Sequence, residues 1–316
     1  MMRDSDHPKG PISRSVLVAF DKELRRKVLD FEAIRLGAQR AEELERGVIS
    51  EESLRGKDPL HAVYTYAQNK LSVLVEDLAE LPMCTPLADA YSAAEEEYLP
   101  SGPPMSPLTI SYFFCWAVFD SHVGPEKETL GTVAIDLCRR LGMEPSLVRL
   151  FECMQESRMG LYTLEGAVGD HVLLREFVTG TQHRCVVPAG YRGRPGEIWF
   201  VRVLPEPFET MRLGYSVVFT TPYVMCREQE GRFMFADPQE WEAFFARTIF
   251  RIGITEADQA YSHLMKYGLS ANYWNDYVFE AYVNHRQDMI LLAGLPDVPL
   301  SRPHSRAREA KAREAP

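Results

Sequence analysis

Apolar residues recur every three or four positions between residues 17 and 48, at Leu17, Phe20, Leu24, Val28, Phe31, Ile34, Ala38, Ala41, Leu44 and Val48. That period is helical, and it predicts one amphipathic helix over 17–48 with Gly47 near its C-terminal cap. At 1.5 Å per residue such a helix spans about 45 Å. Lys27 interrupts the heptad sense of the stripe, so packing on its own domain is expected, with homodimerisation through this first helix as the alternative. Three more helices begin with one device. Asp58-Pro59, Thr85-Pro86 and Ser106-Pro107 each set a capping oxygen before a proline, whose missing N–H costs nothing in the first turn. The first runs through Leu60, Val63, Ala67, Leu71, Leu74, Leu78 and Leu81 to Pro82. The second ends near Tyr98, before the stiff linker PSGPPMSP. The third, ISYFFCWAVF, is apolar nearly all round and is expected at a domain centre. Two shorter helices are predicted over 126–141, closed by Gly142, and over 145–158.

At Gly160 the period changes to that of strands. LYTLEG, HVLLREFV, HRCVV, EIWFVRVL and YSVVFT are short runs rich in Val, Phe, Trp and Tyr. Turn residues separate them at Gly166–Asp170, Thr179-Gly180, Gly190–Gly196 and Pro205–Leu213. Five short strands at this spacing predict a small antiparallel barrel. Helices then return: Asp237-Pro238 repeats the proline cap, Thr255 with Asp258 resembles a capping box, and Ser270 opens an aromatic helix, ANYWNDYVFEAYVNHR. The expectation is an α+β protein. It comprises a helical domain (1–158), a small antiparallel β-barrel-like domain (159–234), a C-terminal helical segment (235–300) and a disordered basic tail (301–316).

Charge sharpens this picture. The 316-residue chain carries a net charge of −10. Residues 58–158 hold fifteen acidic against six basic residues, whereas residues 159–234 hold eight of each. A nucleic-acid binder normally displays a basic footprint, and only the Arg-bearing middle and the tail supply one. The N-terminal stretch is polar, and the longest apolar run, YFFCWAVF, is far short of a membrane span. Cytoplasmic location and no membrane partner are the resulting expectations. None of the six cysteines forms a CxxC pair, which suits buried reduced thiols.

Candidate chemistry centres on GYRGRPGEIWFVRVL, which starts at Gly190. A phosphate-binding P-loop needs GxxxxGK[ST], and a dinucleotide fingerprint needs GxGxxG leading into a helix. This loop has neither spacing and leads into a strand, so it is expected to turn the chain. Its second expectation is anion contact, because Arg192 and Arg194 would project from a rim beside Tyr191. In the strand, alternation sets Ile198, Phe200 and Arg202 on one face and Trp199, Val201 and Val203 on the other. Trp199 is expected in the core; facing out, it would become a stacking platform. Arg175, Arg184 and Arg202 either join that face or pair with Glu176 and Glu197 across strands. Glu156 and Arg158, in MQESRMG, are expected to form an ion pair, with a site between two modules as the sharper option. No HxxxH, HExxH or GxSxG occurs, and no cofactor is expected. DSH at 120–122 and a carboxylate patch of Asp276, Glu280 and His285 are local hints of metal, set against solvated faces.

The stretches EEEYLPSGPP, MQESRMGLY and PAGYRGRPGEIWFVRVLPEP, about the middle third, resemble an uncharacterised bacterial protein family without an assigned activity. The β part also resembles a barrel-like segment of bacterial proteins that end in zinc-binding motifs. This chain has no such terminal cysteine cluster, so the resemblance implies no metal and no catalytic residue. The resulting reading is a non-enzymatic binding or adaptor protein. Its candidate contact residues are Arg158, Tyr191, Arg192, Arg194, Trp199 and Arg202. Its partner through the 190–196 loop is a protein, an anionic ligand or a nucleic-acid strand. The rivals are an enzyme with its site near Glu156 and Arg158, and an assembly protein using the first helix.

Overall fold

The computed structural model describes residues 10–24, 54–98, 107–220, 222–229, 232–235, 237–268 and 290–293. Eight helices occur among them: α1 (Pro11–Leu24), α2 (Pro59–Ala79), α3 (Thr85–Tyr98), α4 (Pro107–Phe119), α5 (Leu130–Arg140), α6 (Pro145–Glu156), α7 (Pro238–Thr248) and α8 (Ala257–Tyr267). The strands are β1 (Met159–Val168), β2 (His171–Glu176), β3 (Gln182–Val186), β4 (Ile198–Leu204), β5 (Ser216–Val218), β6 (Tyr223–Gln229), β7 (Arg232–Phe235) and β8 (Ile290–Ala293). The chain divides into two compact units, one of residues 1–90, 117–157 and 204–217 and one of residues 91–116, 158–203 and 218–316.

In the first unit α5 packs on α1, α2 and α6. Asp58 caps α2 as expected, its Oδ1 accepting Leu60 N at 2.9 Å and His61 N at 3.1 Å. The buried stripe of α2 is Leu60, Tyr64, Ala67, Leu71, Val75 and Leu78. Tyr64 and Val75 thus take the places expected of Val63 and Leu74, because the Tyr64 hydroxyl has a partner inside, Pro205 O at 2.7 Å. Thr85 departs from its expected role. A 3-10 turn over Pro82–Cys84 delivers the chain already helical, and the Thr85 hydroxyl donates backwards to Pro82 O at 2.8 Å. Helix α5 starts at Leu130 rather than 126, because Thr129 and Thr132 close a capping box. Glu144 does for α6 what Asp58 does for α2, accepting Ser146 N and Leu147 N ahead of Pro145.

Helix α1 starts at Pro11, six residues before the expected Leu17; residues 25–48 of that expected helix lie outside the described residues. A distant side chain caps it. Glu128 lays its buried carboxylate across the first turn, accepting Ile12 N at 3.0 Å and Ser13 N at 2.9 Å. Negative charge at a helix N-terminus is favoured by the unpaired N–H groups and the dipole. Gly10 makes the approach feasible: a Cβ there would lie 1.9 Å from Glu128 Cδ. Gly10→Ala is expected to displace Glu128 and lower stability by about 1–3 kcal/mol, read from the urea midpoint.

The second unit carries most of the sheet. Strands run in the order β1-β2-β3-β5-β4, and β4 returns to pair with β1, closing a five-stranded barrel. Strand β1 serves two neighbours. Its first half pairs with β4 (Leu161 opposite Phe200) and its second with β2 (Leu164 opposite Leu174), the register shifting between Leu164 and Gly166. That irregularity bends the strand enough to close a small barrel. Inside lie Tyr162, Leu164, Val172, Leu174, Cys185, Trp199, Val201, Val218 and Val224. All five expected strands are present.

Strands β6, β7 and β8 were not foreseen. β6 adds to β4 and is itself paired by β7 and β8, so ILLA at 290–293 is a strand inside the segment expected to be helical. Asp237 caps α7 as expected, accepting Gln239 N at 2.9 Å. The expected Thr255–Asp258 box does not form: α8 starts at Ala257, with Glu256 at the cap position and no side-chain cap. The aromatic helix expected from Ser270, the Asp276–Glu280–His285 patch, most of the linker before Pro107 and the tail lie outside the described residues.

Candidate functional site: the barrel rim and the β2–β3 face

The loop between β3 and β4 turns the chain, and its glycines show how. Gly190, Gly193 and Gly196 all have positive φ, at 73°, 59° and 91°. At Gly193 a Cβ would also lie 2.4 Å from Glu197 Oε2 and 2.7 Å from Trp199. The loop is fastened by Gly196 N to Leu164 O and Leu164 N to Glu197 O, both 2.8 Å, which extend the β1–β4 ladder. Buried Glu197 then gathers two donors on Oε2, the Tyr191 hydroxyl and Trp199 Nε1, each at 3.0 Å.

This arrangement sorts the sequence candidates. Tyr191 sits on the rim, 39% exposed, with its ring centroid 5.5 Å from that of Trp199. Trp199 itself is 0% exposed and belongs to the barrel core, so it is not a surface platform. Arg202 is 1% exposed and lies off the surface as well, because β4 is buried on both faces. Arg192 is exposed but tied to the β1–β2 turn, reaching Gly169 O at 2.9 Å and Asp170 Oδ1 at 2.8 Å. Arg194 is exposed, and its side chain makes no hydrogen bond or ion pair among the described residues.

Arg158 is not on the rim. It forms a two-pronged ion pair with Glu176 at 2.6 and 3.2 Å and lies over the Tyr261 ring, 4.8 Å from its centroid. The pair is largely buried, with side chains 16% and 5% exposed. Thr179 Oγ1 adds a donor to Glu176 at 2.7 Å. Burial alone would raise the Glu176 carboxyl, but the hydrogen bonds and charge of Arg158 outweigh it and hold it below the ordinary value. The expected Glu156–Arg158 pair is replaced: Glu156 lies 3.8 Å from Arg149.

The outward face of β2 and β3 completes the surface. Directly paired residues share a face. Val172, Leu174 and Cys185 point inward, which leaves His171 opposite Val186, Leu173 opposite Arg184, and Arg175 opposite Gln182 on the outside. Arg175 pairs with Glu165 rather than with Glu176 or Glu197. Arg184 faces only the His171 ring, Nδ1 at 3.2 Å, and has no carboxylate partner among the described residues. Val168, 55% exposed, stands at the adjoining turn. His171, Leu173 and Val168 were missed by the sequence reading. The two-residue Gly169-Asp170 turn, which fixes this hairpin's register, was the available signal.

Burial pushes the thiols of Cys84 and Cys138 up to about 11 and that of Cys185 up to about 12, so they stay protonated at neutral pH. No group of three metal-ligating side chains comes together among the described residues, and His122 Nδ1 instead lies 3.1 Å from Asp120 O. No described helix is long and apolar enough to cross a membrane. Comparison with protein-family models, with curated proteins and with solved structures finds no match.

Proposed function

We propose that this protein is a non-enzymatic binding module whose barrel takes single-stranded nucleic acid across the β2–β3 face and the 187–197 rim. The carrying observation is two exposed guanidinium groups that lack a carboxylate partner among the described residues, Arg184 on the outward face of β3 and Arg194 on the rim loop that also carries the half-exposed Tyr191. Arg175 and Arg192 on the same surface are neutralised by Glu165 and Asp170. An anionic strand uses both kinds of group: phosphates meet the arginines, and a base stacks on the tyrosine. Five-stranded Greek-key barrels such as OB-folds bind oligonucleotides across strands 2 and 3, an analogy of architecture that supports the face without assigning it.

Salt dependence tests the reading. Each single-strand phosphate contact contributes about 0.7 to the slope of log affinity against log salt. The double variant Arg184→Ala, Arg194→Ala is therefore expected to flatten the slope for a short oligothymidylate by about 1.4. Tyr191→Ala is expected to weaken binding by about 1–3 kcal/mol with the slope unchanged. Absence of binding at low salt, or a slope indifferent to both arginines, removes the proposal.

A further inference from the structure

The exposed guanidinium of Arg184 meets a group that can change its charge. Its Nη2 lies 3.2 Å from His171 Nδ1. A guanidinium only donates, so Nδ1 accepts and the imidazole is neutral in this contact. The β2–β3 register sets the geometry: His171 stands opposite Val186, two residues from Arg184 on the outward face.

Few charges surround this end of the hairpin. The residues paired with His171, Val168 on β1 and Val186 on β3, carry none. Asp170 precedes it in the turn, and Arg192 reaches that carboxylate from the glycine loop at 2.8 Å. Asp170 and Arg192 offset each other, so the guanidinium at hydrogen-bond distance weighs most.

Acid changes the contact. Histidine is the side chain whose charge ordinarily changes between about pH 5 and 8. A protonated imidazole donates from both nitrogens and has no lone pair left, so the bond from Arg184 is lost and two cations stand side by side. Like charges at that range repel, and an anion set between them relieves the repulsion. A phosphate of a nucleic-acid strand is such an anion.

We propose, on the reading of the β2–β3 face given above, that His171 is a further contact of that face: protonated, it joins Arg184 on one phosphate, and affinity rises as pH falls. Linkage gives the sign. A proton that favours the phosphate is itself favoured by the phosphate, so the bound state carries more protons and acid strengthens binding.

Oligothymidylate titrations at about pH 7.5 and about pH 5.5, each over a range of salt, test it; thymine takes up no proton in this window. Wild-type affinity is expected to rise about fivefold at the lower pH, the order for one imidazole charging beside a phosphate. The salt slope should steepen by about 0.7, one more phosphate contact. His171→Asn sets an amide oxygen near the place of Nδ1, so Arg184 keeps an acceptor while the titrating group is gone. Its affinity ratio between the two pH values should fall to about one, with equal slopes. Binding that needs Arg184 yet keeps one affinity and one slope at both pH values, or an acid gain as large in His171→Asn as in the wild type, overturns the role of His171 and leaves the face standing. Absence of binding at either pH overturns both.

Discussion

Arg158→Met is expected to destabilise the protein by about 3–5 kcal/mol at neutral pH, the cost of leaving one member of a buried ion pair without the other. Glu176 is the member left behind, 5% exposed and held to Arg158 by two hydrogen bonds. The pH dependence gives the effect a signature. With its folded pKa depressed, Glu176 contributes stability that is fully present above the unfolded carboxyl value of about 4.3 and is lost as pH falls through the folded value. The difference between wild type and Arg158→Met should therefore be largest near neutrality and shrink as pH falls, beginning above about pH 4.3 because burial without the guanidinium raises Glu176 in the variant, and a protonated Glu176 no longer needs a guanidinium. Replacing both partners, Arg158→Met with Glu176→Leu, should recover most of the loss, because a buried pair exchanged for apolar groups is often neutral. Urea midpoints across pH for the three variants check this. A loss that stays unchanged down to pH 3 contradicts the pairing.

Trp199→Ala is expected to cost about 3–5 kcal/mol, the usual range for emptying a large aromatic from a core. The indole is fully buried in the barrel against Leu164, Val172, Leu174 and Val201, and its Nε1 donates to Glu197. Trp199→Phe keeps most of the volume but leaves Glu197 one donor short, so a smaller loss of about 1–3 kcal/mol is expected. Tyr191→Ala also takes a donor from Glu197, so a loss close to that of Trp199→Phe and well short of that of Trp199→Ala is expected. The contrast with Trp199→Ala separates two roles that look alike in sequence. A surface platform would lose binding with the smaller loss of stability when truncated; Trp199 should do the reverse. Denaturant unfolding, combined with oligothymidylate titration of the same variants, decides between them.

The barrel was legible because turn residues, glycine or proline among them, bound each of its five strands and because β-branched and aromatic residues fill the runs. Asp58 and Asp237 were legible for a local reason: a capping carboxylate and its proline act within four residues. Thr85 and the Thr255–Asp258 pair had the same local look and failed, because the preceding turn, in one case, and the actual helix start, in the other, were fixed by neighbours. Strand β4 hid its orientation. Alternation predicts two faces, but both are buried, so Arg202 and Trp199 could not be sorted by period. Strand β8 was hidden by brevity, since ILLA is as compatible with a helix as with a strand until β6 lies beside it. Interactions between distant residues carried no sequence signal. Glu128 caps a helix 116 residues away, and Arg158 finds Glu176 rather than the nearer Glu156.

The candidate surface was half visible for the same reason. Tyr191, Arg192 and Arg194 share one loop, and a loop can be read from its glycines. Arg184 and His171 join them only through the β2–β3 register, and Asp170 and Glu165 neutralise two of the four arginines only after folding. Counting arginines in the sequence thus overstates the positive charge on this face. The useful quantity is the number left without a carboxylate, which is a property of the closed barrel.

The central claim is that this face, and not the acidic helical unit, meets the ligand. Hydrogen exchange read by mass spectrometry, with and without saturating oligothymidylate, tests it most directly. The account predicts slowed exchange over residues 171–197, covering β2, β3 and the glycine loop, with residues 58–98 and 130–156 unchanged. Protection confined to those helical residues, or no protection under conditions where the strand is bound, would contradict it.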